Sequence, residues 1–274
     1  MPTHPVPADE PNEPHKARAM AESFGADAAR YDRTRPRYPD ALIERIAAAA
    51  PGPDVLDVGC GTGIAARALQ AAGCTVLGVD VDPRMADFAR ERGVTVEVAP
   101  FEIWDARGRT FDAVVAGQTW HWVDPVAGAA KAAEVLRPGG RLALFWNTTR
   151  PGPELAEAFS AAYMRALPDA PRNPWSRSVI DAYGTIFGTV SGAIRDTGAF
   201  GEPEEWRVDW ERHRTRDAWL EEIRTSGEAG QHTPEQLARL LEGMGAAVDA
   251  VGGAFTMPYT TVAVTAARQA RQSV

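Results

Sequence analysis

Residues 55–63 read VLDVGCGTG, and this stretch decides the fold. A short apolar strand runs into three alternating glycines, and a helical pattern begins directly after them. Such a turn lies at the carboxyl edge of a parallel sheet, where open α/β folds bind their ligands. Gly59, Gly61 and Gly63 lack the Cβ atoms that would keep a nucleotide-like ligand away from the backbone. The stretch therefore predicts a nucleotide-like ligand at this turn.

The glycine spacing argues against a dinucleotide as that ligand. A dinucleotide fingerprint needs Gly-x-Gly-x-x-Gly or Ala, but Ile64 stands at the last of these positions. Asp57 precedes the loop by two residues, and its carboxylate would repel a pyrophosphate. An NAD-dependent oxidoreductase is therefore the weakest of the alternative functions.

Two helical patterns precede the glycine loop, and strand and helix patterns alternate from residue 55 to residue 147. Strands rich in Val and Leu on both faces, separated by helices, predict a parallel sheet covered on both sides. We expect an α/β fold: a Rossmann-like, doubly wound, mostly parallel seven-stranded sheet, with an N-terminal helical lid and a cap insertion after strand five. The expected parts are a disordered tail (1–15), the helical lid (16–50), the Rossmann-like ligand-binding core (51–149), the cap insertion (150–203) and the C-terminal completion of the sheet (204–274).

The end of the second predicted strand carries a carboxylate. Asp80 lies 21 residues after Gly59, where a carboxylate can accept hydrogen bonds from ribose hydroxyls. A lone Asp at a strand end can also cap a helix, but Asp82, which precedes Pro83, suits that role better. The pattern favours Asp80 as a ligand of a ribose.

The composition of the chain limits the classes of molecule that it can bind. The net charge of −8 argues against nucleic acid, and no apolar run is long enough to span a membrane, so we expect a small-molecule substrate. The start of the chain lacks a secretory pattern, and with two cysteines we expect a cytoplasmic protein with reduced thiols. No metal-binding motif occurs, so we expect no metal site. We expect a monomer or a homodimer.

The fourth predicted strand ends in AGQTWHWVDP, residues 116–125. Two tryptophans flank His121, an unusual composition for a plain loop. On an extended chain, alternate residues point in opposite directions, so His121 and the tryptophans are not expected to share a face. Either the histidine or the tryptophans would then line a pocket, and the others would pack beneath it.

These motifs together resemble a known family. VLDVGCGTG, LGVDVDP, FDAVVAGQTWHWVDP and LRPGGRLALFWN are similar to the class I S-adenosylmethionine-dependent methyltransferases. The segment FGADAARYDRTRPRYP and the Gln-x-Trp-His-Trp motif resemble, more narrowly, bacterial small-molecule methyltransferases. The resemblance covers residues 23–147 with specific motifs and 204–268 more loosely.

The resemblance implies S-adenosylmethionine as cofactor and assigns residues to it. The loop residues would surround its methionine part, Asp80 its ribose, and the residues after strands two and three its adenine. The implied cofactor-binding residues are Tyr31, Arg35, Asp57, Gly59, Cys60, Gly61, Asp80, Val81, Phe101, Glu102, Gln118, Thr119 and Trp120. Of these, Phe101 could instead belong to the core, and Cys60 more simply fills a tight turn.

Aromatic residues and one histidine are the candidates for binding the methyl acceptor. Aromatic side chains at the end of strand four and in the cap would suit an apolar or aromatic acceptor. The candidate substrate-binding residues are Trp122, Trp146, Tyr163 and Trp175. His121 is the candidate general base, because an imidazole can take a proton from a hydroxyl or an ammonium near neutral pH. The same residues could equally serve packing alone.

Three functions fit the sequence. Transfer of a methyl group to an oxygen or nitrogen of a small molecule is favoured. A cyclase or lyase that consumes S-adenosylmethionine without methyl transfer is the main alternative, and a non-catalytic binding module is the third.

Overall fold

Seven strands form one sheet in the order β3-β2-β1-β4-β5-β7-β6 in the computed structural model, which describes residues 24–170, 173–175, 177–226, 229 and 232–270. Strands β1 to β5 run parallel, and β7 pairs antiparallel with both β5 and β6. The strands are β1 (Asp54–Val58), β2 (Thr75–Asp80), β3 (Thr95–Val98), β4 (Phe111–Gly117), β5 (Leu136–Thr149), β6 (Glu204–Thr215) and β7 (Ala254–Ala267). The predicted α/β class and the mostly parallel seven-stranded sheet are confirmed.

Helices follow most of the strands. In the described residues they are α1 (Ala28–Thr34), α2 (Asp40–Ala49), α3 (Ile64–Ala71), α4 (Pro83–Glu91), α5 (Pro125–Val135), α6 (Pro153–Ala166), α7 (Arg177–Asp196), α8 (Arg216–Arg224) and α9 (Pro234–Ala250). Short 3-10 turns lie at Phe24–Asp27, Phe101–Ile103 and Trp120–Trp122. The strand order reverses between β1 and β4, so the crevice expected to bind a ligand opens at their carboxyl ends.

Local chemistry sets where the helices begin. Asp82 caps α4 by accepting a hydrogen bond from the backbone of Arg84, and a proline fills the first helical position. Asp124 caps α5 in the same way, accepting from two backbone amides. Both caps come shortly after the carboxyl ends of β2 and β4. They fix the direction in which the chain leaves the sheet at these two points.

The sheet is buried on both faces, as the apolar strands predict. On one face, alternate residues of the central strands pack against α5 and α7 in a cluster that includes Leu144 and Trp146. On the other, Phe145 and its neighbours pack against α2, α3 and α4. A third cluster lies beside β7 and joins α6, α8 and α9.

Residues 150–203 differ from the expectation of one cap with loose helical patches. They hold two long helices that pack in different clusters: α6 lies against α9, whereas α7 covers the sheet face beside α5. The aromatic residues of this segment are divided in the same way, Phe159 going with α6 and Phe187 with α7. Residues 1–15, predicted to be a tail, lie outside the described part of the chain, and the other domain limits stay predictions.

Candidate functional site

The glycine loop is held tightly between β2 and the end of β4. The backbone amides of Gly59 and Cys60 donate to the carbonyl of Val79, at 2.7 and 3.2 Å. Thr119 Oγ1 donates to the carbonyl of Gly59 at 3.0 Å. Gly59 has φ of +61°, and a Cβ there would lie 2.0 Å from the Thr119 side chain. Only glycine fits this position, because both the backbone conformation and the space exclude a side chain.

Asp80 joins the loop to the end of β2. Its Oδ2 accepts a hydrogen bond from the amide of Gly61 at 2.7 Å, and its Oδ1 accepts from the amide of Asp82 at 2.9 Å. The side chain is buried, and burial raises the pKa of its carboxyl group. Each carboxylate oxygen can accept a further hydrogen bond, so Asp80 can still bind a pair of hydroxyls.

Two adjoining cavities open at this edge of the sheet. Their volumes, including the open mouths, are about 780 and 580 Å³. The larger is lined by residues that include Tyr31, Gly59, Gly61, Asp80, Val81, Phe101, Glu102, Gln118, Thr119 and Trp122. The smaller is lined by residues that include Tyr31, Arg35, Asp57, Gly59, Cys60, Gly61, Gln118 and Thr119. The structure thus brings together at these cavities every residue expected to bind the cofactor except Trp120.

Asp57 lies on the wall of the smaller cavity. Its side chain is 1% exposed, and Oδ2 makes no hydrogen bond to any described residue. Burial, with the nearby Asp80 carboxylate, raises the pKa of Asp57 to about 8. A cationic ligand group placed beside Asp57 would offset the cost of ionising it.

Helix α1 covers the smaller cavity and is fixed to the C-terminal part of the chain. Arg30 makes a two-pronged ion pair with Glu221 of α8, at 2.5 and 2.8 Å. Arg35 donates to the carbonyl of Thr225, and Tyr31 lines both cavities. The predicted lid residues therefore do reach the site.

The Trp-His-Trp stretch is a turn of 3-10 helix, so the expectation of an extended chain is wrong. Gln118 causes the change of direction: its φ is +56°, a left-handed conformation that is uncommon for a side chain of this kind. Trp120 is 1% exposed and packs near Phe101 in the core. This corrects the prediction that Trp120 binds the cofactor, whereas Trp122 does line the larger cavity.

His121 is buried and paired with Trp146. The indole Nε1 of Trp146 donates a hydrogen bond to His121 Nδ1 at 3.3 Å. A neutral imidazole that accepts at Nδ1 carries its proton on Nε2, so Nε2 is a donor, and it has no partner among the described residues. Burial also lowers the pKa of His121 to about 4. The arrangement argues against His121 as a general base, because its lone pair is already used and its basicity is weak.

Three candidate acceptor residues lie away from the two cavities. Trp146 is fully buried and packs against Phe187 of α7. Tyr163 and Trp175 belong to the third cluster, where the Trp175 ring contacts that of Trp219, 5.7 Å between centroids. The prediction that these three residues line the acceptor pocket is therefore not supported. These residues pack against helices α6 to α9, whose positions on the sheet the sequence pattern does not predict.

Several cavity residues were not anticipated. Val58, Met85, Tyr38 and Asn147 line one cavity or the other. Asn147 could have been found from its place near the carboxyl end of a predicted strand, as Asp80 was. Tyr38 packs edge-on against Phe145, a contact that only the fold reveals.

Among the described helices, none has the length and apolar character needed to cross a membrane.

Comparison with known proteins agrees with this geometry. Residues 56–144 match the model of the methyltransferase domain family. Over 267 residues the chain is 31% identical to an uncharacterized methyltransferase of Mycobacterium tuberculosis, covering 91% of this chain and 97% of that one. It is 31% identical over 150 residues to the ubiquinone biosynthesis O-methyltransferase of Hahella chejuensis, covering 51% of this chain and 61% of the relative.

A solved structure extends the likeness to the fold. A protein from Anaeromyxobacter dehalogenans, provisionally assigned as a type II methyltransferase, superposes with a TM-score of 0.62 at 27% identity, over 86% of this chain and 97% of its own. The near-complete coverage of the mycobacterial relative and the match to the domain model settle the family. The chain belongs to the class I S-adenosylmethionine-dependent methyltransferases.

Proposed function

We propose that the protein methylates an oxygen or nitrogen atom of a small molecule, with S-adenosylmethionine as the methyl donor. The observation that carries the proposal is the pair of adjoining cavities, which places a glycine loop, two buried carboxylates and an aromatic wall at one edge of the sheet. Their size is in the range of small-ligand sites.

The smaller cavity suits the methionine part of the donor. Asp57 is buried with an unpartnered oxygen, and a ligand ammonium beside it would form a charge-assisted hydrogen bond. Gly59, Cys60 and Gly61 let the ligand approach the backbone closely, and Arg35 with Tyr31 closes the opposite wall. These residues would bind and orient the donor.

The larger cavity suits the nucleoside part. Asp80 would accept hydrogen bonds from the ribose hydroxyls. Phe101 and Val81 would cover the faces of the adenine ring. Glu102, which accepts a hydrogen bond from the amide of Asp124 at 3.1 Å, would border its edge. Gln118 and Thr119 line both cavities and would lie close to the junction of the two ligand parts.

S-adenosylmethionine, when bound, supplies a methyl group activated by a sulfonium. The chain's task is then to position an acceptor atom and to exclude water, because an in-line attack depends mainly on orientation and desolvation. Trp122 lines the larger cavity, and its aromatic face would stabilise the sulfonium cation of the donor.

An acceptor that has lost its proton before binding fits the site best. His121 accepts a hydrogen bond at Nδ1, so it holds no free lone pair for a hydroxyl proton. A carboxylate, an acidic phenol or an unprotonated nitrogen needs no such base at neutral pH. The O-methyltransferase named among the relatives supports oxygen as one of the two candidate atoms.

The test is a product analysis with S-adenosylmethionine and a panel of small hydroxy, carboxy and amino compounds. Methyl transfer predicts S-adenosylhomocysteine together with a methylated acceptor. Release of methylthioadenosine from the donor alone would favour the cyclase or lyase alternative. Binding of S-adenosylhomocysteine with no turnover in the presence of any acceptor, a cell extract included, would favour a binding module.

A further inference from the structure

Strand β6 carries two arginines on the face of the sheet that packs against α2, α3 and α4. Trp206, on the same strand, belongs to the cluster on this face. Alternate residues of a strand share a face, so Trp210, Arg212 and Arg214 point the same way. Trp210 lies opposite Tyr259 of β7, and their rings stack with centroids 4.3 Å apart. An aromatic pair and two cations therefore follow one another along this face.

Arg212 has no carboxylate partner in the described part of the chain, unlike its neighbours. Among the described residues it donates from Nη1 to the carbonyl of Thr34, at 3.3 Å. By contrast, ion pairs are formed by Arg30 with Glu221, Arg37 with Asp32, and Arg214 with Glu222. Arg212 is half-buried. Burial and the charge of Arg214 lower its pKa, and the carboxylate of Glu222, which pairs with Arg214, raises it.

The Arg212 guanidinium stays charged despite the lowered pKa. Arg212 and Arg214 carry two positive charges beside the carboxylate of Glu222, so an anionic ligand would offset the surplus charge.

Two further buried donors on this face have no acceptor among the described residues. Tyr259 is 2% exposed and Arg214 is 3% exposed. Arg214 Nε donates to no described residue, and Tyr259 Oη lies beside the Arg214 guanidinium, which can donate to the hydroxyl oxygen but cannot accept its proton. Both can donate. Buried donors are nearly always paired in folded proteins, so two of them near an unpaired cation indicate a ligand that accepts hydrogen bonds.

This group of donors is connected to the smaller cavity. Arg212 contacts the backbone of Thr34, and the next residue, Arg35, lines the cavity. On the sheet, Trp210 Nε1 donates to Thr261 Oγ1 at 2.8 Å, and Thr261 donates to Asn147 Oδ1 at 2.7 Å. Asn147 lines the same cavity. Chains of direct contacts therefore link β6 to residues of the smaller cavity.

We propose that the methyl acceptor is a small organic acid whose carboxylate binds to Arg212, with Tyr259 Oη and Arg214 Nε as additional donors. The proposal rests on the methyl transfer proposed above, and it specifies the charge of the substrate. The stacked Trp210 and Tyr259 rings would contact its apolar part.

The test compares benzoate with benzamide, which have similar shapes but differ in charge. Binding is measured by calorimetry on protein saturated with S-adenosylhomocysteine. We expect the wild-type protein to bind benzoate at least about tenfold more tightly than benzamide, and added salt to weaken the difference. Arg212→Gln should abolish the preference, and Arg212→Lys should keep part of it.

Arg207→Gln is the matched control. Arg207 lies on the same strand but on the opposite face, exposed and paired with Glu205, so the same loss of charge there should leave the preference intact. Tyr259→Phe should weaken benzoate binding with little loss of thermal stability, because the hydroxyl that it removes donates to no acceptor in the described part of the chain. That combination separates a ligand contact from a structural role.

Three results would overturn the proposal: no preference for benzoate in the wild-type protein, a preference that survives in Arg212→Gln, or an equal loss in Arg207→Gln. Failure of the proposed function is distinguishable, because it appears in the product analysis, as no methylated acceptor with any compound, whereas the preference for benzoate is measured by binding alone. If Arg212→Gln fails to fold, Arg212→Lys and Tyr259→Phe still decide the matter: wild-type affinity for benzoate in both contradicts the proposal.

Discussion

Trp146 Nε1 donates a hydrogen bond to Nδ1 of His121 across 3.3 Å, and this contact fixes the proton of the imidazole on Nε2. Both side chains are buried, Trp146 completely. The histidine of the Trp-His-Trp stretch is therefore a neutral hydrogen-bond donor. The chemistry of the site has to be explained without it as a base.

The imidazole of His121 should not titrate in the physiological range. Burial lowers its pKa to about 4, so we expect nitrogen NMR shifts of one fixed neutral tautomer from pH 8 to pH 5. Trp146→Phe removes the donor and should release the tautomer. A wild-type imidazole that titrates near pH 6.5 would contradict this account.

The lowered pKa of His121 also predicts that the free energy of unfolding decreases in acid. The unfolded chain binds the proton of His121 near pH 6.5 and the folded chain only near pH 4, so the stabilising effect is complete above pH 6.5 and is lost as the pH falls to 4. His121→Gln should remove a contribution of up to about 3 kcal/mol to the difference in unfolding free energy between pH 7 and pH 4. Denaturant unfolding of both proteins at the two pH values measures it, and equal pH dependence would count against the buried neutral ring.

Binding of the donor should release a proton through Asp57. The pKa of this carboxyl is about 8 in the free protein, so it is largely protonated at pH 7, and a ligand ammonium beside it should lower that pKa. Calorimetry of S-adenosylhomocysteine binding in buffers of different ionisation enthalpy should show proton release at pH 7. Asp57→Asn, which cannot ionise, is the control. Proton release of the same size in the variant would exclude Asp57 as its source.

Asp57 also predicts a loss of stability in base. The pKa of Asp57 is 3.8 in the unfolded chain and about 8 in the folded one, so the proton favours the folded state. This contribution to the free energy of unfolding is complete below pH 3.8 and is lost as the pH rises through 8. Asp57→Asn should therefore lose less stability than the wild-type protein between pH 6 and pH 9. Parallel unfolding curves in denaturant at these pH values would contradict the assignment.

Asp80→Asn should weaken S-adenosylhomocysteine binding by more than about tenfold, because an amide accepts hydrogen bonds less strongly than a carboxylate. The loop contacts to Gly61 and Asp82 should also loosen, so thermal stability is measured alongside the affinity. Asp87→Asn, at an exposed position paired with Arg90, is the matched control and should bind normally. Near-normal affinity in Asp80→Asn would show that the ribose contact is assigned to the wrong residue.

Gly59→Ala should lose S-adenosylhomocysteine binding, because the added Cβ meets Thr119 and displaces the loop. Gly73→Ala provides a control for backbone strain alone: φ is +92° there, but the space around a Cβ is open. We expect the second variant to lose about 1 kcal/mol of stability and to keep its affinity. Equal affinities in the two variants would contradict the role of the loop.

The fold could be predicted in detail because its signals are local. The alternation of Trp206, Val208 and Trp210 predicted the limits of β6, and apolar runs bounded by glycines predicted the central strands. The cavity residues at strand ends, Asp57 and Asp80 among them, were predictable because parallel strands all end at one edge.

Features that depend on tertiary contacts were not predictable. A three-residue 3-10 turn has no periodicity of its own, so the position of Trp120 in the core could not be read from the sequence. Tyr163 and Trp175 pack against α8 and α9, far along the chain. That Arg212 forms no ion pair with a described carboxylate becomes visible only when each neighbouring arginine has been matched to its partner.

The most direct test of the central claim follows the methyl group itself. The protein is incubated with S-adenosylmethionine labelled in that methyl group and a panel of small organic acids, and the products are analysed by mass spectrometry. We predict the label in one of the acids, with one S-adenosylhomocysteine formed for each methyl transferred. Label that remains in the donor with every acceptor, or leaves it as methylthioadenosine, would contradict the account.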